Sequence, residues 1–197
     1  MNYKSYKIAR DIAWEVLIWL KIRELPIRIV DVCNSMGIEV VYDEKIPSGM
    51  EGYCTILDGT PFIALDPKPS RREKRFTAAH ELGHILLGHV DPDYINTFRR
   101  DFNGKSRSKE LEANIFAATL LAPLCVFQSL DMYNEEDIMK LCDFEWGTTE
   151  VYVEHLRELF NHYSSKKPAG LPMERCVLEQ FQDFIRSKML YSKNHPR

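Results

Sequence analysis

A chain of 197 residues, 45% hydrophobic and 28% charged, is long enough for one domain with a helical appendage and has an ordinary globular balance. Its formal net charge of −3 gives no general reason to expect nucleic-acid binding. The five cysteines are scattered, odd in number and without a CxxC pair, which argues for reduced thiols in the cytoplasm and against a disulfide framework.

In chain order, residues 3–24 have helical spacing, with Ile8, Ile12, Val16 and Trp19 or Leu20 on one apolar stripe. Asp11 and Glu15 interrupt that stretch and no cleavage-site pattern follows, so it reads as an amphipathic helix, not a signal peptide or membrane span. Pro26 breaks it. A short helix over 27–36 stops at Gly37, and 38–43 predicts a strand. Two β-type runs within 52–65 flank Asp58-Gly59, a hairpin signal. Ser70 and Glu73 form a capping-box pattern that starts a helix at about 71 and carries it to about 89. Residues 90–107 read as a loop, and 109–122 as a helix stopped by Pro123. Two short helices over 134–162, hinged near Gly147, precede a loop at 164–172 and a last helix around 174–191. The predicted organisation is one domain over 1–163, with the 164–197 segment packed on it.

The chemistry concentrates in 77-TAAHELGHILLGH-89. His80 and His84 stand four residues apart, so on a helix they share one face and both imidazoles can reach one zinc ion. Glu81 is rotated off that face but within reach of a metal-activated water, the position of a general base for hydrolysis. A buried His, Glu, His cluster without a partner is costly, and a metal satisfies all three groups. The bland alternative, histidines that merely fill a core, is the weaker reading for that reason.

A catalytic zinc needs a third protein ligand and an open position. His89 has the wrong spacing for the HExxHxxGxxH pattern, and on a continuing helix it points away from His84. It reads as a helix-end residue that favours the C-terminal dipole, with an active-site role as the alternative. The better source is 110-ELEANIFAATLLAP-123, which offers Glu110 and Glu112 at the start of a helix rich in small residues. Spacing alone does not choose between them. Gly83, between the two histidines, lets a neighbouring backbone come near.

AAHELGHILLGH followed some thirty residues later by ELEANIFAATLLAP resembles the ImmA/IrrE family of metallopeptidases, over about Ile27 to Leu159. The resemblance implies Zn2+ held by His80, His84 and Glu112, with Glu81 as base. It implies an α+β, zincin-like fold: a small antiparallel sheet packed on the HExxH helix, with additional C-terminal helices. It also implies that strand 62-FIAL-65 pairs with an extended substrate, which makes Ile63 and Ala64 substrate-binding residues. Some members cleave or inactivate a helix-turn-helix repressor, so the partner expected here is a protein substrate of that class. The rival reading is a zinc-containing regulator that binds a partner with little proteolysis. Tyr94, in the loop after the motif, reads as a surface tyrosine, with a second donor to the developing oxyanion as the sharper alternative. Asn114 is expected to support the site by bonding a ligand or capping a backbone group.

The helical pair over 134–159 fails as a DNA-binding unit, because eight acidic residues face only Lys140 and Arg157. Basic clusters flank the HExxH helix: Lys68, Arg71, Arg72, Lys74 and Arg75, then Arg99, Arg100, Lys105, Arg107 and Lys109. They read as solvated faces, with a rim that steers an acidic substrate as the alternative.

Overall fold

The first helix, α1 (Tyr3–Trp19), buries Ala9, Ala13 and Leu17 completely, with Tyr6, Trp14 and Val16 beside them. The expected stripe is therefore displaced: Ile8 and Trp19 are 47% and 64% exposed. Small residues win the inner face because they let α4 approach closely, which a pattern read from large apolar side chains misses. The helix ends well before Pro26. Lys21 takes a left-handed φ of 53°, and the N–H groups of Lys21 and Ile22 return to the carbonyls of Ile18 and Leu17.

The computed structural model describes residues 3–90, 104–145 and 171–194. After α2 (Ile29–Ser35), Gly37 at φ +72° closes the helix as its sequence position predicts. Strands β1 (Glu39–Tyr42), β2 (Gly52–Leu57) and β3 (Thr60–Leu65) form one sheet in the order β1-β3-β2. The hairpin β2–β3 turns on Asp58 and Gly59, both at positive φ. However, β1 runs parallel to β3, so the sheet is mixed and not wholly antiparallel. β3 contributes the fully buried Ile63 and Ala64 and takes the centre, which leaves β1 to pair on its far side.

Helix α3 (Arg71–Leu86) opens on a reciprocal cap: Glu73 N–H donates to Ser70 Oγ at 3.1 Å, and Ser70 N–H to Glu73 Oε2 at 2.8 Å. It lies along β2 and β3. There, a Cβ on Gly52 would meet Thr77 Cγ2 at 2.8 Å, so glycine is what permits this approach. On its other side α3 meets α4 (Gly104–Leu121), which in turn packs on α1. The α4 helix begins inside the stretch expected to be loop; residues 91–103 lie outside the described residues.

Pro123 ends α4 and caps α5 (Leu124–Ser129), a short helix that the sequence reading did not anticipate. In α6 (Glu135–Cys142), Asn134 accepts from Asp137 N–H, and Asp143 ends the helix in the left-handed region. The second member of the expected helical pair falls outside the described residues. The expected last helix is two, α7 (Pro172–Gln180) and α8 (Gln182–Asn194), broken at the fully buried Phe181. The α7 helix packs on α1 and α5, and Gln180 donates to the Leu17 carbonyl at 2.7 Å.

Most of the first basic cluster is engaged in contacts within the protein. Arg71, Arg72 and Arg75 all pair with Asp143, Arg72 also reaches Glu145, and Lys74 donates to the Pro67 carbonyl. These residues fasten the end of α6 to the first turns of α3, while Lys68 is exposed. Arg99 and Arg100 of the second cluster, and the side chain of Lys105, lie outside the described residues; Arg107 and Lys109 are exposed.

Candidate metal centre

Successive turns of α3 present His80 and His84 toward α4, with their Nε2 atoms 3.0 Å apart. Across the interface, Glu110 places one carboxylate oxygen 3.3 Å from His80 Nε2 and the other 3.5 Å from His84 Nε2. At metal–ligand distances of about 2.0–2.1 Å, tetrahedral donors stand about 3.3 Å apart. The observed triangle is close to that spacing, so these three donors fit one small divalent ion such as zinc. The approach depends on Gly83: a Cβ there would meet Phe116 Cδ1 at 3.0 Å and the Ala113 backbone at 3.2 Å.

Glu110 and Glu112 are two residues apart on α4 and point about 200° from each other. Glu110 reaches the two histidines, whereas Glu112, the residue that the family resemblance implies, turns to His89. Its Oε2 lies 3.1 Å from His89 Nε2, and Ser108 Oγ donates to its Oε1 at 3.2 Å. Asn114, four residues after Glu110, shares the inward face; its Oδ1 lies 2.8 Å from His80 Nδ1, and the residue is buried.

Electrostatics follow from burial and these contacts. Burial works to lower the His80 pKa, but the carboxylates of Glu110 and Glu81 outweigh it and raise it. Burial likewise works to raise Glu110, and its hydrogen bonds to His80 and His84 instead hold it well below the usual carboxylate range. Glu81 is buried, and its Oε2 has no hydrogen-bond partner among the described residues. An orphaned, buried carboxylate oxygen beside a donor triangle has a use only if something polar is brought to it. Cys54, on β2, faces this carboxylate; burial and then the nearby Glu81 push its thiol well above the usual range.

His89 follows directly on the end of α3, but its side chain turns back to His84 instead of standing on the helix dipole. Gly88, at φ +68°, ends the helix, and the N–H groups of Gly88 and His89 return to the carbonyls of Ile85 and His84. The chain folds back, and His89 Nδ1 comes to 3.1 Å from His84 Nδ1. Burial, then the adjacent His84, lower its pKa to about 4, so it is no cation on the helix dipole. The signal was present in the sequence: a glycine immediately before His89, at the position where helices commonly turn left-handed.

Ile63 and Ala64 are fully buried on the central strand, whose two edges are taken by β1 and β2. The expected pairing of β3 with a substrate therefore has no free edge to use. Tyr94 lies outside the described residues. No helix among the described residues is long and apolar enough to cross a membrane.

A family model described as the IrrE N-terminal-like domain, Peptidase M78, matches residues 33–155. No curated protein and no solved structure matches the chain.

Proposed function

Because the chain belongs to the IrrE N-terminal-like Peptidase M78 family, we propose that it is a zinc-dependent metalloendopeptidase acting on a regulatory protein. The observation that carries this is the convergence of His80, His84 and Glu110 beside the buried, unbonded Oε2 of Glu81. In this reading His80, His84 and Glu110 hold the ion, in preference to Glu112, and Asn114 orients His80. When bound, zinc supplies a Lewis acid that acidifies water and polarises a carbonyl. Glu81 then takes the proton of the attacking water and returns it to the leaving amine. Its burial excludes bulk water and strengthens both transfers.

The helix-on-sheet arrangement supports a zincin-like packing. An extended substrate is then assigned to an outer strand instead of β3. The outer strand β2 is the better one, since Cys54 on it faces Glu81. The substrate class proposed is a helix-turn-helix repressor or similar regulator, with no direct nucleic-acid contact. Residues 1–163 are taken as the catalytic unit, with the C-terminal segment packed on it through α7. The free cysteines support a reducing, cytoplasmic setting.

The test compares wild type with Glu81→Gln and Glu110→Ala, each incubated with zinc and a repressor encoded beside the gene. Wild type is expected to bind one zinc and generate repressor fragments, Glu81→Gln to bind zinc and generate none, and Glu110→Ala to lose the metal. Equal depletion of repressor by wild type and Glu81→Gln, without fragments, would establish the binding regulator and defeat the protease.

A further inference from the structure

Two contacts run outward from the back of His84. Its Nδ1 lies 3.1 Å from His89 Nδ1, and His89 Nε2 lies 3.1 Å from Glu112 Oε2. The His89 side chain is 6% exposed, so these contacts are shielded from competition by water. Three more bonds fix the arrangement. His89 N–H donates to the His84 carbonyl, Lys109 Nζ donates to the His89 carbonyl, and Ser108 holds the other oxygen of Glu112. The first turns of α4 thus grip His89 at its backbone and its ring together.

With both imidazoles neutral, proton counting along this line allows one arrangement. An ionised carboxylate only accepts, so His89 Nε2 carries the proton that points at Glu112. A neutral His89 then has a bare Nδ1, which accepts, so His84 Nδ1 carries its own proton. A neutral His84 with the proton on Nδ1 leaves the lone pair on Nε2, the atom that faces His80 Nε2 and Glu110. Without the line, His84 is free to place its proton on Nε2, where it blocks a metal.

We propose that His89 and Glu112 form a hydrogen-bond relay that fixes the tautomer and ring orientation of His84 for metal binding. Both are positioning residues, and the inference rests on the assignment of His80, His84 and Glu110 as the metal-holding set. The relay gives His84 what Asn114 gives His80 directly, an acceptor for the Nδ1 proton. His84 needs an intermediary: its partner carboxylate, Glu112, faces away from the side of α4 that bears Glu110, and the fold-back at Gly88 inserts His89 between them.

The experiment uses the full chain as wild type, His89→Ala, Glu112→Ala, Glu112→Gln and Glu110→Ala. Long-range proton–nitrogen correlation spectra of the zinc-free protein report which ring nitrogen of His84 is protonated, and chelator competition reports zinc affinity. Wild type is expected to show the Nδ1–H form of His84. His89→Ala and Glu112→Ala are expected to show mixed tautomers and bind zinc about 10–100-fold more weakly. Glu112→Gln keeps an oxygen acceptor and the shape of the side chain, so it recovers most of the affinity even where an alanine variant folds poorly. Wild-type tautomer and affinity in His89→Ala and Glu112→Ala would overturn the relay while leaving the metal site intact. Complete loss of zinc in Glu112→Ala, matching Glu110→Ala, would overturn it by making Glu112 a ligand. Normal zinc binding by Glu110→Ala would instead remove the donor set beneath it.

Discussion

Gly83 rests directly on Ala113: a Cβ added to the glycine would stand 3.2 Å from both the Cα and the carbonyl oxygen of Ala113. This contact sets the distance between α3 and α4, and so between the histidines and Glu110. Gly83→Ala gains about 1 kcal/mol in helix propensity. The clash is with backbone, which cannot swing aside, and overpacking of that kind costs about 1–3 kcal/mol. The net expectation is a loss of about 1 kcal/mol in chemical denaturation, with a larger proportional fall in zinc affinity. A more stable variant with unaltered zinc binding would show that the interface relaxes freely.

Asn114 is expected to matter through its acceptor oxygen. Asn114→Ala leaves the His80 Nδ1 proton without its partner in a buried setting, at a cost of about 1–3 kcal/mol, and weakens zinc binding by about 10–100-fold. Asn114→Asp retains an oxygen at the same reach. Chelator competition should place it nearer wild type than Asn114→Ala, and the opposite order would remove the acceptor argument.

Arg75 fastens three segments. It donates to the Ile27 carbonyl before α2 and to the Cys142 and Asp143 carbonyls at the end of α6. Burial lowers its pKa without making it less than fully charged at neutral pH. Arg75→Met should cost about 2–4 kcal/mol in urea denaturation with zinc removed, since it strands several carbonyls. Arg75→Lys should recover less than half, because one ammonium cannot span the set of acceptors that a guanidinium does. Full recovery by lysine would reduce the clamp to simple charge.

The cysteines yield a pH prediction. Burial pushes the thiols of Cys33 and Cys125 from the ordinary 9.0 up to about 12, while Cys176 is exposed. Both folded pKa values exceed the unfolded one, so the stabilisation is complete below about pH 9 and drains away as pH rises toward 12. In that window each thiol should remove about 1.4 kcal/mol of stability per pH unit. Native alkylation at neutral pH should modify Cys176 and spare Cys33 and Cys125. Mass spectrometry that finds Cys33 or Cys125 labelled as fast as Cys176 would contradict the burial.

Much of the frame was legible because its signals are local. The capping box at Ser70 and Glu73, the Asp58-Gly59 turn and the stop at Gly37 each depend on a few neighbouring residues, and the structure has all three. The direction of β1 against β3 was not legible, because a strand's own residues do not say which neighbour it will find. The inner face of α1 was misread for a related reason: alanines buried against α4 look unremarkable until α4 is in place.

The sequence by itself determined that His80, Glu81 and His84 would share two turns of one helix, since helical geometry alone makes residues four apart neighbours. It also pointed to the ELEAN segment as the better source of a third donor. Only the tertiary structure decided that Glu110 faces the histidines and Glu112 does not, because that depends on the rotation of α4 about its axis against Gly83. The same is true of His89. Its reach toward Glu112 arises from a left-handed turn at Gly88 and from a helix that begins sixteen residues later at Gly104, and no spacing along the chain encodes that meeting.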